Sequence, residues 1–164
     1  AEARIFAGEL ARGRHDLSGA EHEYRRALTV QRRVGSGNIA ITELNLAIVM
    51  TLRGSYQDAE RLLKRCLGEV DALHRSRLQG AAHIYLAVCA AVRGDFDAFD
   101  EHLEDARAVL GEDQAEEDNA LGARLAGDRA DAAGQRARAE RAWAFAAEQE
   151  ARLAAGRGVR AEQG

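Results

Sequence analysis

A sequence pattern typical of two helices joined by a turn recurs four times along the chain. It constrains the fold more than any other feature of the sequence. Each copy places a glycine, or a histidine in the first copy, between two stretches that can be helical. The equivalent turn positions are His15, Gly54, Gly94 and Gly134, so successive copies are 39, 40 and 40 residues apart. A period of this length is typical of arrays of helical pairs in which each pair packs mainly against its neighbours.

The composition favours helices over the whole length. The 164 residues include no proline and only 5% aromatic residues, so the chain lacks the turn chemistry of β-sandwiches and barrels. It contains 35 alanines and 22 arginines, which rank among the best helix formers. We therefore predict an all-α fold with Gly35–Asn38 as the clearest loop. The predicted helices lie at about 1–13, 17–34, 39–53, 56–73, 76–93, 96–110, 115–132 and 135–154.

The second copy of this pattern is the most complete. In order, it contains a large residue, a small residue, a turn residue, an aromatic residue, an alanine and two large residues. These positions are Leu46, Ala47, Gly54, Tyr56, Ala59, Leu63 and Leu67. In this order they resemble the tetratricopeptide repeat family, although the repeat is longer than the usual length of about 34 residues. The resemblance implies a right-handed superhelical solenoid of antiparallel helix pairs. It would comprise about four repeats at 1–37, 38–76, 77–113 and 114–154, followed by a frayed tail at 155–164.

Helix 39–53 is apolar on nearly every side, whereas an ordinary surface helix has one apolar stripe. Leu46 and Met50 lie on one side, where the resembled family packs helices together. The other side, and its counterpart in the third copy, corresponds to the concave groove in which that family binds peptides or helices. The candidate groove residues are Ile41, Leu44, Asn45, Ile48, Ile84, Tyr85 and Val88, with Asn45 as the polar contact. The alternative is that packing within the chain buries the same side chains, and the sequence leaves both possibilities open.

No catalytic or metal-binding pattern is recognised in the sequence. The five histidines never form an i, i+4 pair on one predicted helix, so we expect no zinc site on a helix and no metal. Cys66 and Cys89 have apolar neighbours, and we expect them to be buried structural thiols in a reduced protein. We accordingly expect no cofactor and no enzymatic activity.

The charge and hydropathy narrow the choice of partners. A net charge of −4 argues against a nucleic-acid partner, for which a basic surface is expected. No apolar run approaches the roughly 20 residues of a membrane span, so we expect no membrane partner. The sequence also shows no secretory signal, which favours a cytoplasmic location.

These observations predict a non-enzymatic protein–protein interaction module whose partly apolar groove binds a peptide, a helix or a second protomer, with a homodimer as one possible form. The alternative is a sensory or scaffolding repeat region of a larger bacterial signalling protein. That alternative depends on the sequence segment 138–143, which is similar to repeat regions attached to bacterial serine/threonine kinases.

Overall fold

The computed structural model describes residues 1–35, 39–69, 75–110 and 116–162, which form eight α-helices and no strand. The prediction of an all-α chain is therefore confirmed for this part of the sequence. The helices are α1 (Glu2–Gly13), α2 (Leu17–Val34), α3 (Ile39–Leu52), α4 (Tyr56–Glu69), α5 (Arg75–Arg93), α6 (Phe96–Val109), α7 (Glu117–Ala132) and α8 (Arg136–Glu162).

Within the described residues, the ends of the helices follow the predicted limits closely, with one difference at the end of the chain. The predicted end of the fourth helix at 73 lies outside these residues. Helix α8 continues to Glu162, through most of the segment that the sequence analysis predicts as a frayed tail. Alanine and arginine favour helix there, and no proline ends it. The predicted loop residues 36–38 lie outside the described residues.

The chain divides into two compact units, Ala1–His74 and Arg75–Gly164, with four of these helices in each. In the first unit each helix packs against the next, α1 on α2, α2 on α3, and α3 on α4. In the second unit α5 packs against both α6 and α7, and α7 packs against α8.

The four predicted turns share one backbone conformation. Their residues adopt the left-handed conformation, with φ angles of 61° at His15, 83° at Gly54, 77° at Gly94 and 75° at Gly134. In the third turn the Gly94 N–H donates to the Ala91 carbonyl (3.1 Å), and the Asp95 N–H donates to the Ala90 carbonyl (3.0 Å). The other three turns repeat this pair of hydrogen bonds, which defines the Schellman C-cap. The turn positions predicted from the sequence period are confirmed.

The pattern of buried residues after each turn repeats as well. The fifth residue beyond each turn residue is fully buried, and so is the small residue seven positions further on. The first set comprises Ala20, Ala59, Phe99 and Ala139, and the second comprises Ala27, Cys66, Ala106 and Ala146. Cys89 is also buried, so the prediction of two buried cysteines is confirmed. The repeat that is visible in the sequence is therefore also present in the turn conformation and in the positions of the buried side chains.

Gly94 offers a direct test of the turn conformation. We expect Gly94→Val to lower the free energy of unfolding by about 1 kcal/mol or more, because a β-branched residue is strained at positive φ. An added Cβ at Gly94 meets nothing within 4 Å, so the loss would come from the backbone alone. Denaturant titration followed by circular dichroism measures the change.

Gly68 provides the matched control for that substitution. It also has open space around an added Cβ, but it lies within α4 without a positive φ. Gly68→Val should leave the stability nearly unchanged. Equal stability of the two variants would contradict the requirement for a left-handed residue at Gly94.

Within the described residues, no helix is both long and apolar enough to cross a membrane.

Candidate functional site

The seven residues predicted to line a groove are largely buried within the folded chain. In α3, Leu44 and Ile48 are buried, and Ile41 and Asn45 are half-buried. The α5 residues, Ile84, Tyr85 and Val88, are fully buried. This burial is what the alternative of packing within the chain predicts, and the binding role of these residues stays a prediction.

Helix α7 accounts for the burial of two of the α5 residues. The Tyr85 hydroxyl donates a hydrogen bond to the Asp118 carbonyl at 2.9 Å. A Cβ built on Gly122 would lie 2.7 Å from Ile84 Cγ2 and 2.9 Å from Tyr85 Cε2. Helices α5 and α7 therefore touch at a point where any side chain on Gly122 would hold them apart.

An open cleft lies in the first unit, on the side of α3 that carries Leu46 and Met50. It has a volume of about 450 Å³ and is formed by α2, α3 and α4. We call it the arginine cleft. Its lining residues are Arg25, Leu28, Thr29, Arg32, Leu46, Met50, Asp58, Arg61, Leu62 and Arg65. The four apolar residues are buried, while the four arginines are exposed. The cleft therefore has a small apolar floor, and most of its accessible lining is polar and cationic.

Glu43 is a buried carboxylate on α3 that draws two of these arginines together. Its side chain is only 1% exposed, and Oε1 accepts hydrogen bonds from Arg32 Nη2 at 2.7 Å and Arg65 Nη2 at 2.5 Å. Its second oxygen, Oε2, is buried and has no hydrogen-bond partner among the described residues. Burying a carboxylate is costly unless paired charges compensate it, so the two guanidinium groups explain how α3 tolerates Glu43.

The arginine cleft retains an excess of positive charge and of hydrogen-bond donors. Arg32 and Arg65 share one carboxylate, whereas each guanidinium carries five N–H donors. Arg25 pairs with Glu21 at 2.8 Å, and Arg61 pairs with Asp58, the one acidic residue of the lining. The cleft can therefore donate hydrogen bonds to a carboxylate from a ligand, although the chain as a whole is acidic.

A second cluster lies in the other unit, where α5 and α6 face each other. His83 Nδ1 lies 3.2 Å from His102 Nδ1 and 3.6 Å from Asp105 Oδ2. All three residues are half-buried, and their donor atoms lie within 4.8 Å of one another, so they could hold a metal ion. Burial lowers the pKa of His83, while the carboxylates of Asp105 and Glu101 act in the opposite direction. We call these three residues the histidine cluster.

No family model matches the chain, and no curated protein is significantly similar to it. The two candidate sites therefore follow from the geometry of the chain itself.

Sequence reasoning missed both clusters because their residues come from different helices. The signal for the arginine cleft was local: Arg25 and Arg32 lie two helical turns apart, Arg61 and Arg65 one turn apart, and Glu43 interrupts an apolar helix. The signal for the histidine cluster was that two histidines flank one predicted turn. An i, i+4 pair describes ligands on one helix, whereas these histidines come from α5 and α6.

Proposed function

We propose that this chain is a non-enzymatic protein-interaction module, a solenoid-type repeat similar to tetratricopeptide repeats, and that its arginine cleft binds an acidic peptide segment. The repeat assignment is supported by four Schellman turns spaced 39 or 40 residues apart and by the repeated pattern of buried residues. The observation that carries the binding function is the set of four exposed arginines around a cleft with a small apolar floor.

Charge complementarity selects the class of ligand. Guanidinium groups bind carboxylates through paired, charge-assisted hydrogen bonds, which are stronger than neutral ones. The small floor formed by the leucines and Met50 beneath them gives one apolar side chain a place to lie, and ligand sites commonly combine apolar and polar contacts. The expected ligand is therefore a peptide that carries both acidic and apolar residues.

The spacing of the arginines adds a constraint on the peptide. Arg25 and Arg32 are seven residues apart on α2, a rise of about 10 Å along the helix axis. An extended peptide covers that distance with about three residues. We expect the best ligands to carry acidic residues about three positions apart, with a leucine or similar residue between them.

Peptide binding is tested by fluorescence anisotropy. The probe is a fluorescein-labelled peptide containing Asp-Leu-Ser-Glu, whose two acidic residues lie three positions apart. Arg25→Ala and Arg61→Ala remove exposed guanidinium groups that do not contact Glu43, and each should weaken binding about fivefold or more. Glu43→Gln should strengthen binding, because the internal carboxylate would no longer compete for Arg32 and Arg65.

Three controls define the outcome. Arg136→Ala removes an equally exposed, ion-paired arginine from α8 and should leave peptide binding unchanged. A peptide with serine in place of leucine should bind more weakly if the apolar surface contributes. Unchanged affinity in Arg25→Ala and Arg61→Ala would overturn the proposal. Equal binding of a single-stranded oligonucleotide of the same charge would also overturn the assignment to a peptide.

A further inference from the structure

We propose that the histidine cluster of His83, His102 and Asp105 is a binding site for a divalent transition metal, with Zn²⁺ as the ion that its ligands fit. This inference is independent of the arginine cleft, because the cluster lies in the other compact unit and on other helices. The sequence pattern gave no indication of a metal site whose ligands come from two helices.

Two of the three distances between the donor atoms suit a single small ion. Two ligands held at 2.0–2.1 Å in a tetrahedral arrangement are about 3.3 Å apart. His83 Nδ1 and His102 Nδ1 are separated by 3.2 Å, and His83 Nδ1 and Asp105 Oδ2 by 3.6 Å. The third pair, His102 Nδ1 and Asp105 Oδ2, lies within 4.8 Å. An ion could therefore bind between the three atoms once side-chain rotation brings this last pair to about 3.3 Å.

The helices hold the three ligands in place. His102 and Asp105 are three residues apart on α6, so they lie on the same face one turn apart. His83 comes from α5, which packs against α6 across the Schellman turn at Gly94. Ligands carried by packed helices are positioned more precisely than ligands on loops.

The donor set selects the metal. Two imidazole nitrogens and one carboxylate oxygen match the ligands of open zinc sites, in which three side chains leave the fourth position to water. Mg²⁺ and Ca²⁺ prefer sites made of oxygen ligands. When Zn²⁺ binds, both Nδ1 atoms provide lone pairs, so any Nδ1 proton moves to Nε2 of the same neutral ring through solvent and none is lost.

The half-buried position of the cluster leaves it open to exchange with solvent. Each of the three side chains keeps some exposure, so an ion can enter without unfolding of the hairpin. Because His83 and Asp105 come from different helices, a bound ion would join α5 to α6 in the folded state only. Zn²⁺ should therefore stabilise the folded chain as well as bind to it.

The test begins with the full chain treated with EDTA and then dialysed. Isothermal titration with ZnCl₂ should give one ion per chain, and Co²⁺ substitution should give the visible absorption of a tetrahedral or five-coordinate site. Saturating Zn²⁺ should raise the melting temperature of the chain. Millimolar Mg²⁺ should not displace the bound Zn²⁺.

Substitutions assign the site. His83→Ala and Asp105→Asn should each weaken Zn²⁺ binding at least tenfold and reduce the increase in melting temperature measured at the same Zn²⁺ concentration. Asp105 is half exposed, so Asp105→Asn should fold normally. This variant therefore still tests the site if His83→Ala fails to fold. His22→Ala removes an exposed histidine of α2 and should change neither result. Absence of Zn²⁺ binding by the folded chain, or binding that survives Asp105→Asn unchanged, would overturn the proposal.

Discussion

Ile48→Asp is expected to abolish the folded state of the first unit. Ile48 is only 1% exposed on α3. The substitution therefore removes a buried aliphatic side chain and introduces a carboxylate at a position that did not evolve to hold a charge. Losing the apolar contacts and burying an unpaired charge together cost about 4 kcal/mol or more. This is a large fraction of the stability of an ordinary domain. Loss of helical circular dichroism and of a cooperative thermal transition would report it.

Phe6→Asp is the control for this substitution. Phe6 is 61% exposed on α1, so the same introduced charge should leave helicity and the thermal transition nearly unchanged. If Ile48→Asp instead folds with normal stability and loses binding to a peptide or to a second copy of the chain, Ile48 belongs to a surface. The groove hypothesis from the sequence would then replace the packing alternative.

The period and the turns could be predicted from the sequence because they depend on local properties. A left-handed residue at the end of a helix is nearly always glycine or another residue that tolerates positive φ. Gly54, Gly94 and Gly134 therefore marked their turns directly, and the regular spacing identified His15 as the fourth. The same local rule explains why the helix limits agreed within a few residues.

The face of α3 that meets solvent could not be predicted, because α3 is apolar on nearly every side. Periodicity identifies a buried face only when a polar face contrasts with it. Both Leu46 and Ile48 are buried although they point to different sides of the helix. Deciding which side carries a cleft requires the packing of α2 and α4, which no single helix encodes.

The two charged clusters were missed for a related reason. Net charge averages over the chain, so an overall charge of −4 concealed the local excess of arginine around Met50. Contacts between Glu43 and Arg65, or between His83 and His102, join residues about 20 positions apart. Their proximity follows from how two helices of a hairpin align, which depends on side-chain packing and not on spacing alone.

Gly122→Leu is expected to disrupt the second unit. Even the Cβ of a new side chain would lie closer than 3.0 Å to Ile84 and to the ring of Tyr85. The Tyr85 hydroxyl bonds to the Asp118 carbonyl, so the ring cannot move aside without losing that hydrogen bond. Overpacking of a tight contact costs about 1–3 kcal/mol, and the remaining atoms of leucine should bring the loss to the upper end of that range. Denaturant unfolding measures it, and increased binding of a hydrophobic dye would report the exposure of α5.

A pair of identical substitutions separates the effect of contact from the effect of helix propensity. Gly122→Ala should lower the free energy of unfolding, because the added methyl group meets α5. Gly156→Ala adds the same group to α8 where nothing lies within 4 Å, and it should raise the stability by up to about 1 kcal/mol. If Gly122→Ala and Gly122→Leu are both tolerated without loss, α7 is not held tightly against α5. Movement of α7 could then expose Ile84 and Tyr85, and the predicted binding surface on α5 would regain its physical basis.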